Sequence, residues 1–198
     1  YPVLSDVKFL SNDTLIIAAG SNYYSGGFVC YNFENENYTD SLINQDMQAL
    51  YFFDQQEGII AGYGAVFKTY DAGDTWTPNA VKGDYFKDLD FNNQGNGLLV
   101  GYQGKIFESI DKGASWEKNA KKASFFTTKG NLESVDIRES SAFIAGQNGS
   151  LLYSRDFLNN EWLEVETPFT NDFLKVCLIS SNQGFVTGGN GLLFKFSY

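Results

Sequence analysis

The feature that most constrains this chain is an internal repeat with a period near 40 residues. Four segments align: Gly58-Ile-Ile-Ala-Gly-Tyr-Gly64, Gly97-Leu-Leu-Val-Gly-Tyr-Gln-Gly104, Ala142-Phe-Ile-Ala-Gly-Gln-Asn-Gly149 and Gly184-Phe-Val-Thr-Gly-Gly-Asn-Gly191. Each is a short apolar run ending in a small residue and Gly, then a turn that closes on a second Gly. Each turn leads into another apolar segment, namely Val66-Phe-Lys68, Ile106-Phe-Glu108, Leu151-Leu-Tyr153 and Leu192-Leu-Phe194. A weaker fifth copy opens the chain, with Leu15-Ile-Ile-Ala-Ala-Gly20 followed by Gly27-Phe-Val-Cys30. The anchor glycines Gly20, Gly62, Gly101, Gly146 and Gly188 lie 42, 39, 45 and 42 residues apart. Such a period, with several short strands per unit, is the pattern of propeller blades of about four strands. A two-sheet sandwich with coincidental glycine spacing is the alternative. Leucine-rich, ankyrin and TPR repeats are shorter, and no stretch shows capped 3.6-residue periodicity.

Composition agrees with an all-β chain. Aromatic residues reach 17 %, led by 18 Phe and 12 Tyr, beside 20 Gly; aromatics favour strands, and Gly favours turns. With 43 % apolar and 19 % charged residues the chain suits a globular domain. No apolar run approaches the ~20 residues of a membrane helix, so no membrane insertion is expected. Cys30 and Cys177 are too few for a disulfide framework. They are read either as a bridge or as two buried thiols, since free Cys packs as a small hydrophobe.

The repeat divides the chain into one domain, residues 1–198, with blades at about 5–46, 47–84, 85–131, 132–172 and 173–198. Within a blade, Leu50 to Phe53 supplies strand A, 58–61 strand B, 65–69 strand C and 75–78 strand D. The last blade has no segment for strand D, and the apolar residues 1–4 stand spare ahead of the first strand A. Propellers close by letting one terminus complete the blade of the other, which hides two sheet edges. Five blades closed by residues 1–4 are therefore expected. The alternative is a piece of a longer, seven- or eight-bladed ring.

Between strands C and D two units share a turn, [ST]-x-D-x-G-x-[ST]-W. One copy uses Thr69, Asp71, Gly73, Thr75 and Trp76, the other Ser109, Asp111, Gly113, Ser115 and Trp116. An Asp carboxylate can close such a turn on backbone amides, Gly supplies its backbone conformation, and Trp buries a large face. A degenerate third copy, Ser154 to Trp162, keeps Ser, Asp and Trp but loses Gly. The turn resembles the Asp-box, or BNR repeat, of sialidases and related β-propellers. Together with the Gly-x-x-Gly hairpin it is similar to the Ycf48/HCF136 photosystem II assembly-factor family and its bacterial relatives. The resemblance implies a propeller and a structural role for the Asp-box residues. In that family it also implies binding of membrane-protein assembly intermediates through a basic patch, against which this acidic sequence sets only scattered lysines such as Lys118, Lys121 and Lys122.

Several chemistries are excluded by composition. Histidine is absent and the formal charge is −10. This removes imidazole catalysis and binding driven by nucleic-acid phosphate. A sialidase-like site implies three arginines, whereas the chain has two, Arg138 and Arg155. No catalytic residues, metal or cofactor are expected. What remains is a non-catalytic interaction scaffold, secreted, periplasmic or on a cell surface, monomeric, binding a protein or peptide. The alternative is a glycan-binding or glycosidase-like propeller. In propellers the B–C and D–A connections share one face. The B–C turns offer Tyr23, Tyr24, Tyr63, Tyr102, Gln103, Gln147, Asn148 and Asn190 as binding candidates, since Tyr with Asn and Gln combines rigid faces with adaptable hydrogen bonds. The D–A connections add Tyr85, Phe86, Phe125, Phe126, Phe169 and Phe173, which alternatively begin strand A and pack between blades.

Overall fold

The computed structural model describes residues 3–22, 25–81, 85–119, 130–159 and 162–198. Among them the strands form five antiparallel sheets, each a meander in chain order. The first holds β1 (Val3–Phe9), β2 (Thr14–Asn22), β3 (Ser25–Asn32) and β4 (Asn37–Leu42). The second holds β5 (Met47–Phe52), β6 (Gly58–Gly62), β7 (Ala65–Thr69) and β8 (Thr77–Pro78). In the third are β9 (Phe86–Phe91), β10 (Gly97–Gly101), β11 (Ile106–Ser109) and β12 (Glu117–Lys118), and in the fourth β13 (Leu132–Arg138), β14 (Ser141–Gly146), β15 (Leu151–Ser154) and β16 (Leu163–Glu164). The fifth has β17 (Phe173–Ser180), β18 (Gln183–Gly188) and β19 (Leu192–Ser197). The chain is an all-β protein of propeller architecture. It divides into two compact units, residues 1–86 with 113–115, and residues 87–112 with 116–198.

The apolar runs are continuous because the central strands are buried on both faces. Every residue of β14 is buried. Alternate side chains go to opposite sides of a strand, so Ala142 and Ile144 join Leu98, Val100, Val135 and Leu152 in one core. Phe143 and Ala145 join Leu151, Tyr153, Phe173, Val176 and Phe196 in another. In the first unit Ile16, Ala18 and Phe28 pack with Met47, Leu50, Phe52 and Ile60.

Register explains the anchor glycines. Met47 pairs with Gly62, Leu132 with Gly146 and Phe173 with Gly188, each beside a bulge. The carbonyl just before each of these strands accepts from the amide just after the glycine: Tyr63 N to Asp46 O at 2.8 Å, Gln147 N to Asn131 O at 2.9 Å and Gly189 N to Asp172 O at 2.8 Å. A Cβ on Gly62, Gly146 or Gly188 would stand 1.9, 2.6 or 2.6 Å from that same oxygen. In the first sheet the bulge and pairing put Ala19, not Gly20, at this position, opposite Leu4.

Two further readings are corrected. Val3 and Leu4, expected to complete the last sheet, pair with Gly20 and Ala19 and so open the innermost strand of the first sheet; Tyr1 and Pro2 lie outside the described residues. The last sheet has three strands among the described residues. Cys177 is exposed rather than buried, and both thiols are free.

Candidate functional site

The three B–C turns of the second unit are built alike. Gln103, Asn148 and Asn190 each take φ between 56° and 59°, and Gly104, Gly149 and Gly191 follow at 68–74°. Two successive left-handed residues fold the hairpin back at once, which explains Asn or Gln followed by Gly at these points. In the second unit these turns are tied together by residues at the start of each innermost strand. Asn131 Oδ1 accepts from Gln103 N at 3.1 Å, while Asn131 N donates to Gln147 Oε1 at 3.1 Å. Asp172 Oδ1 accepts from Asn148 N at 2.9 Å, and Asn171 Nδ2 donates to Gly189 O at 3.3 Å, next to Asn190. Gln103, Gln147, Asn148 and the turn holding Asn190 thus share one hydrogen-bonded rim. Tyr102 is half-buried at the head of its turn, and its carbonyl accepts from Lys105 N.

Tyr63 belongs to the first unit. Its ring meets Tyr85 edge-on at 5.6 Å, and Tyr85 donates its hydroxyl to Asp46 Oδ2 at 2.7 Å. Tyr23 and Tyr24, and Phe125 and Phe126 of the connections, lie outside the described residues. Phe86 and Phe173 are core residues, which answers the choice left open for them. Phe169 is half-buried, its ring 5.0 Å from Phe194.

The rim borders a cleft of about 480 Å³ lined by Asn148, Gly149, Glu164, Val165, Glu166, Thr167 and Phe169. Gly149 shapes it, because a Cβ there would stand 2.1 Å from Phe169 O. The connector therefore runs directly over the turn, with Gly149 N bonded to Asn171 O at 2.9 Å. Glu164 and Glu166 are exposed on one wall. The cleft's size lies within the usual range for ligand sites. Its chemistry offers two acceptor carboxylates, a Thr hydroxyl and an aromatic edge. Asn131, Asp172, Glu164 and Glu166 were missed in the sequence. An Asx just before strand A recurs at Asp46, Asn131 and Asp172, a signal that could have found two of them.

A second polar constellation lies along the innermost strands. One edge of such a strand has no strand partner, and its amides need acceptors. Neighbouring sheets supply them from side chains. In the first unit Leu50 N donates to Asp6 Oδ2 at 2.9 Å. In the second, Val135 N donates to Asp88 Oδ2 at 3.0 Å and Val176 N to Ser134 Oγ at 3.3 Å. One register further, Ile137 N donates to Asp90 Oδ2 at 2.7 Å and Leu178 N to Asp136 Oδ2 at 2.8 Å. The buried Asp88 also receives Ser134 Oγ and Lys175 Nζ, each at 2.8 Å. These acidic residues are structural acceptors, and no group of three or more metal-type ligands occurs among the described residues.

Burial, with the Asp136 and Asp88 charges adding to it, pushes the Asp90 carboxyl up to about 7. Burial also raises Asp136 and Glu133. An unfolded Asp releases its proton near pH 4, so between there and pH 7 the native state holds more protons. The contribution of Asp90 is thus greatest below that range and is lost as pH rises through about 7. Asp90→Asn keeps an acceptor for Ile137 N. It should flatten the decline and leave the variant more stable than the parent at pH 8. Urea midpoints at pH 5, 6, 7 and 8 check this; unchanged slopes would refute it.

The two full copies of the [ST]-x-D-x-G-x-[ST]-W turn are closed by their own residues. Asp71 Oδ1 accepts from Thr69 Oγ1 at 2.8 Å and Thr75 N at 2.9 Å, and Oδ2 from Thr75 Oγ1 at 2.6 Å. These bonds, led by the Thr75 hydroxyl, hold the exposed Asp71 carboxyl below its ordinary range. Thr69 Oγ1 accepts from Gly73 N at 2.9 Å. Ser109 Oγ donates to Asp111 Oδ1 at 2.8 Å in the same way. Ala72 and Lys112 are left-handed, as are Gly73 and Gly113 after them. Trp76 packs on Phe28 at 5.1 Å and Trp116 on Phe91 at 5.6 Å. With the carboxylates engaged in the turns and the indoles packed on core rings, these residues organise the sheet margin.

The sequence profile of the family described as photosynthesis system II assembly factor YCF48 matches residues 79–168. No curated protein gives a significant sequence match. Among solved structures, YCF48 from Cyanidioschyzon merolae is similar at a TM-score of 0.71 and 16 % identity, over 99 % of this chain and 66 % of its own. The β-propeller domain of Myceliophteria thermophila Cps50 (Swd1) is similar at 0.73 and 11 %, over 100 % and 67 %. A structure of YCF48 bound to D1 peptide covers the whole chain, and 92 % of its own, at 13 % identity and a TM-score of 0.48. The chain spans about two thirds of the length of the first two. At these identities the solved structures speak for the fold, and the profile match for the kind of repeat: the chain is a Ycf48-like BNR β-propeller.

Proposed function

We propose that this protein is a non-catalytic interaction propeller that holds an extended, basic segment of a protein partner in the cleft beside the Asn148 turn. The observation that carries the reading is the cleft itself. It joins a B–C turn (Asn148, Gly149) to a D–A connection (Thr167, Phe169), with Glu164 and Glu166 on one wall. Two carboxylates on a chain of charge −10 favour Lys or Arg side chains. The Phe169 ring can face an aliphatic stem, and Thr167 and the turn amides can address a peptide backbone. A peptide partner is also in keeping with the Ycf48 likeness, since a YCF48 structure holds a D1 peptide. Secretion or surface display is part of the same proposal, tested by fractionation of the tagged protein.

Fluorescence anisotropy with labelled basic, neutral and acidic nonapeptides tests the cleft. Basic peptides should bind best, and more weakly as salt rises. Glu164→Gln with Glu166→Gln should weaken binding about 3- to 10-fold, as expected for exposed charge pairs worth ~1 kcal/mol or less each. Equal binding of acidic and basic peptides would contradict the reading. Reproducible glycan binding lost on Tyr102→Ala would move it to carbohydrate.

A further inference from the structure

The outer segment of the fourth sheet, which forms one wall of the cleft, is pinned between its two carboxylates. Glu164 pairs with Leu152, and Val165 N donates to Leu151 O at 2.8 Å, one residue past the end of β16. The Val165 side chain packs against the core that holds Leu151, Tyr153 and Phe173. Exposure then alternates: Glu164, Glu166 and Pro168 are exposed, whereas Val165, Thr167 and Phe169 are half-buried. This is the alternation of an extended chain, whose side chains at i and i+2 leave on one side about 6.8 Å apart. The far end is held as well. Thr167 Oγ1 donates to Phe169 O at 3.4 Å, and Gly149 N to Asn171 O at 2.9 Å. Glu164 and Glu166 thus flank a fixed residue, and the backbone sets their spacing.

The same backbone bond recurs after the outer strands of the second and third sheets, from Asn79 N to Val66 O at 2.8 Å and from Asn119 N to Ile106 O at 2.9 Å. The flanking residues differ. Pro78 and Ala80 flank Asn79, and Lys118 and Ala120 flank Asn119. The repeat therefore supplies the pinned segment in all three sheets, and of the three the fourth sheet alone sets a carboxylate on both sides of it.

Resting on the reading that this cleft holds a basic segment, we propose that its ligand is an extended peptide with two Lys or Arg residues at alternate positions, Lys/Arg-x-Lys/Arg. In an extended ligand such cations leave on one side and repeat at the spacing of Glu164 and Glu166, so both carboxylates are paired at once. Cations at i and i+1, or at i and i+3, leave on opposite sides, and one of them points away from the wall. Because the wall is already held in place, binding costs little ordering of the protein.

Three labelled nonapeptides of identical composition test this on the full chain by fluorescence anisotropy at about 0.15 M salt, where exposed charges are screened beyond the contact distance. Each carries two lysines in a Ser and Val background, at i and i+1, at i and i+2, or at i and i+3. The i, i+2 peptide should bind about 3- to 5-fold more tightly than either of the others, the range for one exposed ion pair. Glu166→Gln alters an exposed side chain, so circular dichroism should be unchanged, and the three affinities should become equal. Equal binding of all three to the parent would overturn the spacing and leave the basic-cleft reading standing. So would binding of a Lys- and Arg-rich nonapeptide with none of the three. A preference that survives in Glu166→Gln would overturn its assignment to these carboxylates. No binding by any of the three or by the Lys- and Arg-rich peptide would overturn both the spacing and the reading beneath it.

Discussion

Gly62→Ala should lower the unfolding free energy by about 3–5 kcal/mol, at the severe end for a single methyl group. The added Cβ would stand 1.9 Å from Asp46 O and 2.8 Å from Met47 Cα, both backbone atoms. Neither can swing aside as a side chain could. Relief requires moving the start of β5 off β6, which breaks the bond from Tyr63 N to Asp46 O. Gly64→Ala is the internal control. Gly64 lies two residues away at φ 67° with nothing within 4 Å of a Cβ, so Ala there should cost about 1 kcal/mol of left-handed backbone strain. Denaturant titrations of the two variants separate the explanations. Equal losses would show that conformation, not approach of the carbonyl, sets the anchor glycine.

Asp88→Ala is the second large effect, expected at about 2–4 kcal/mol. One buried oxygen receives Val135 N, Ser134 Oγ and Lys175 Nζ. Removing it leaves a buried amide and a buried hydroxyl without that acceptor, and each such loss costs ~1–3 kcal/mol. Lys175 is largely exposed, and its freed ammonium returns to water at little cost. Lys175→Met leaves the buried Asp88 carboxylate its bonds from Val135 N and Ser134 Oγ but no countercharge, so it should cost about 1–2 kcal/mol, less than Asp88→Ala. A loss on Lys175→Met as large as that on Asp88→Ala would shift the weight from amide capping to the ion pair.

The glycines and apolar runs made the sheets readable, because burial on both faces forbids polar interruption and the close approach at residues 62, 146 and 188 forbids side chains. The first sheet was harder. Gly20 looks like an anchor in the sequence, but its bulge puts Ala19 in register, and a shift of one residue is invisible to spacing alone. Val3 and Leu4 were misread because a short apolar segment fits an inner strand as well as an outer one. Cys177 was assigned a core position because nothing local distinguishes a covered strand face from an uncovered one.

The candidate site was legible only in part. Gln103, Gln147 and Asn148 were chosen from turn composition and do share a rim, but the groups that bind them, Asn131 and Asp172, lie 16 to 28 residues away in sequence. Glu164 and Glu166 gave no sequence signal among 24 acidic residues. Only the folding of β16 and its connector over the Asn148 turn brings them to the cleft.

The central claim, that the cleft beside the Asn148 turn receives a basic peptide, is tested most directly by amide hydrogen exchange with and without a saturating Lys- and Arg-rich nonapeptide. Slowed exchange confined to residues 147–149 and 164–169 is the predicted result. Binding that slows exchange elsewhere and leaves those residues unchanged would contradict it.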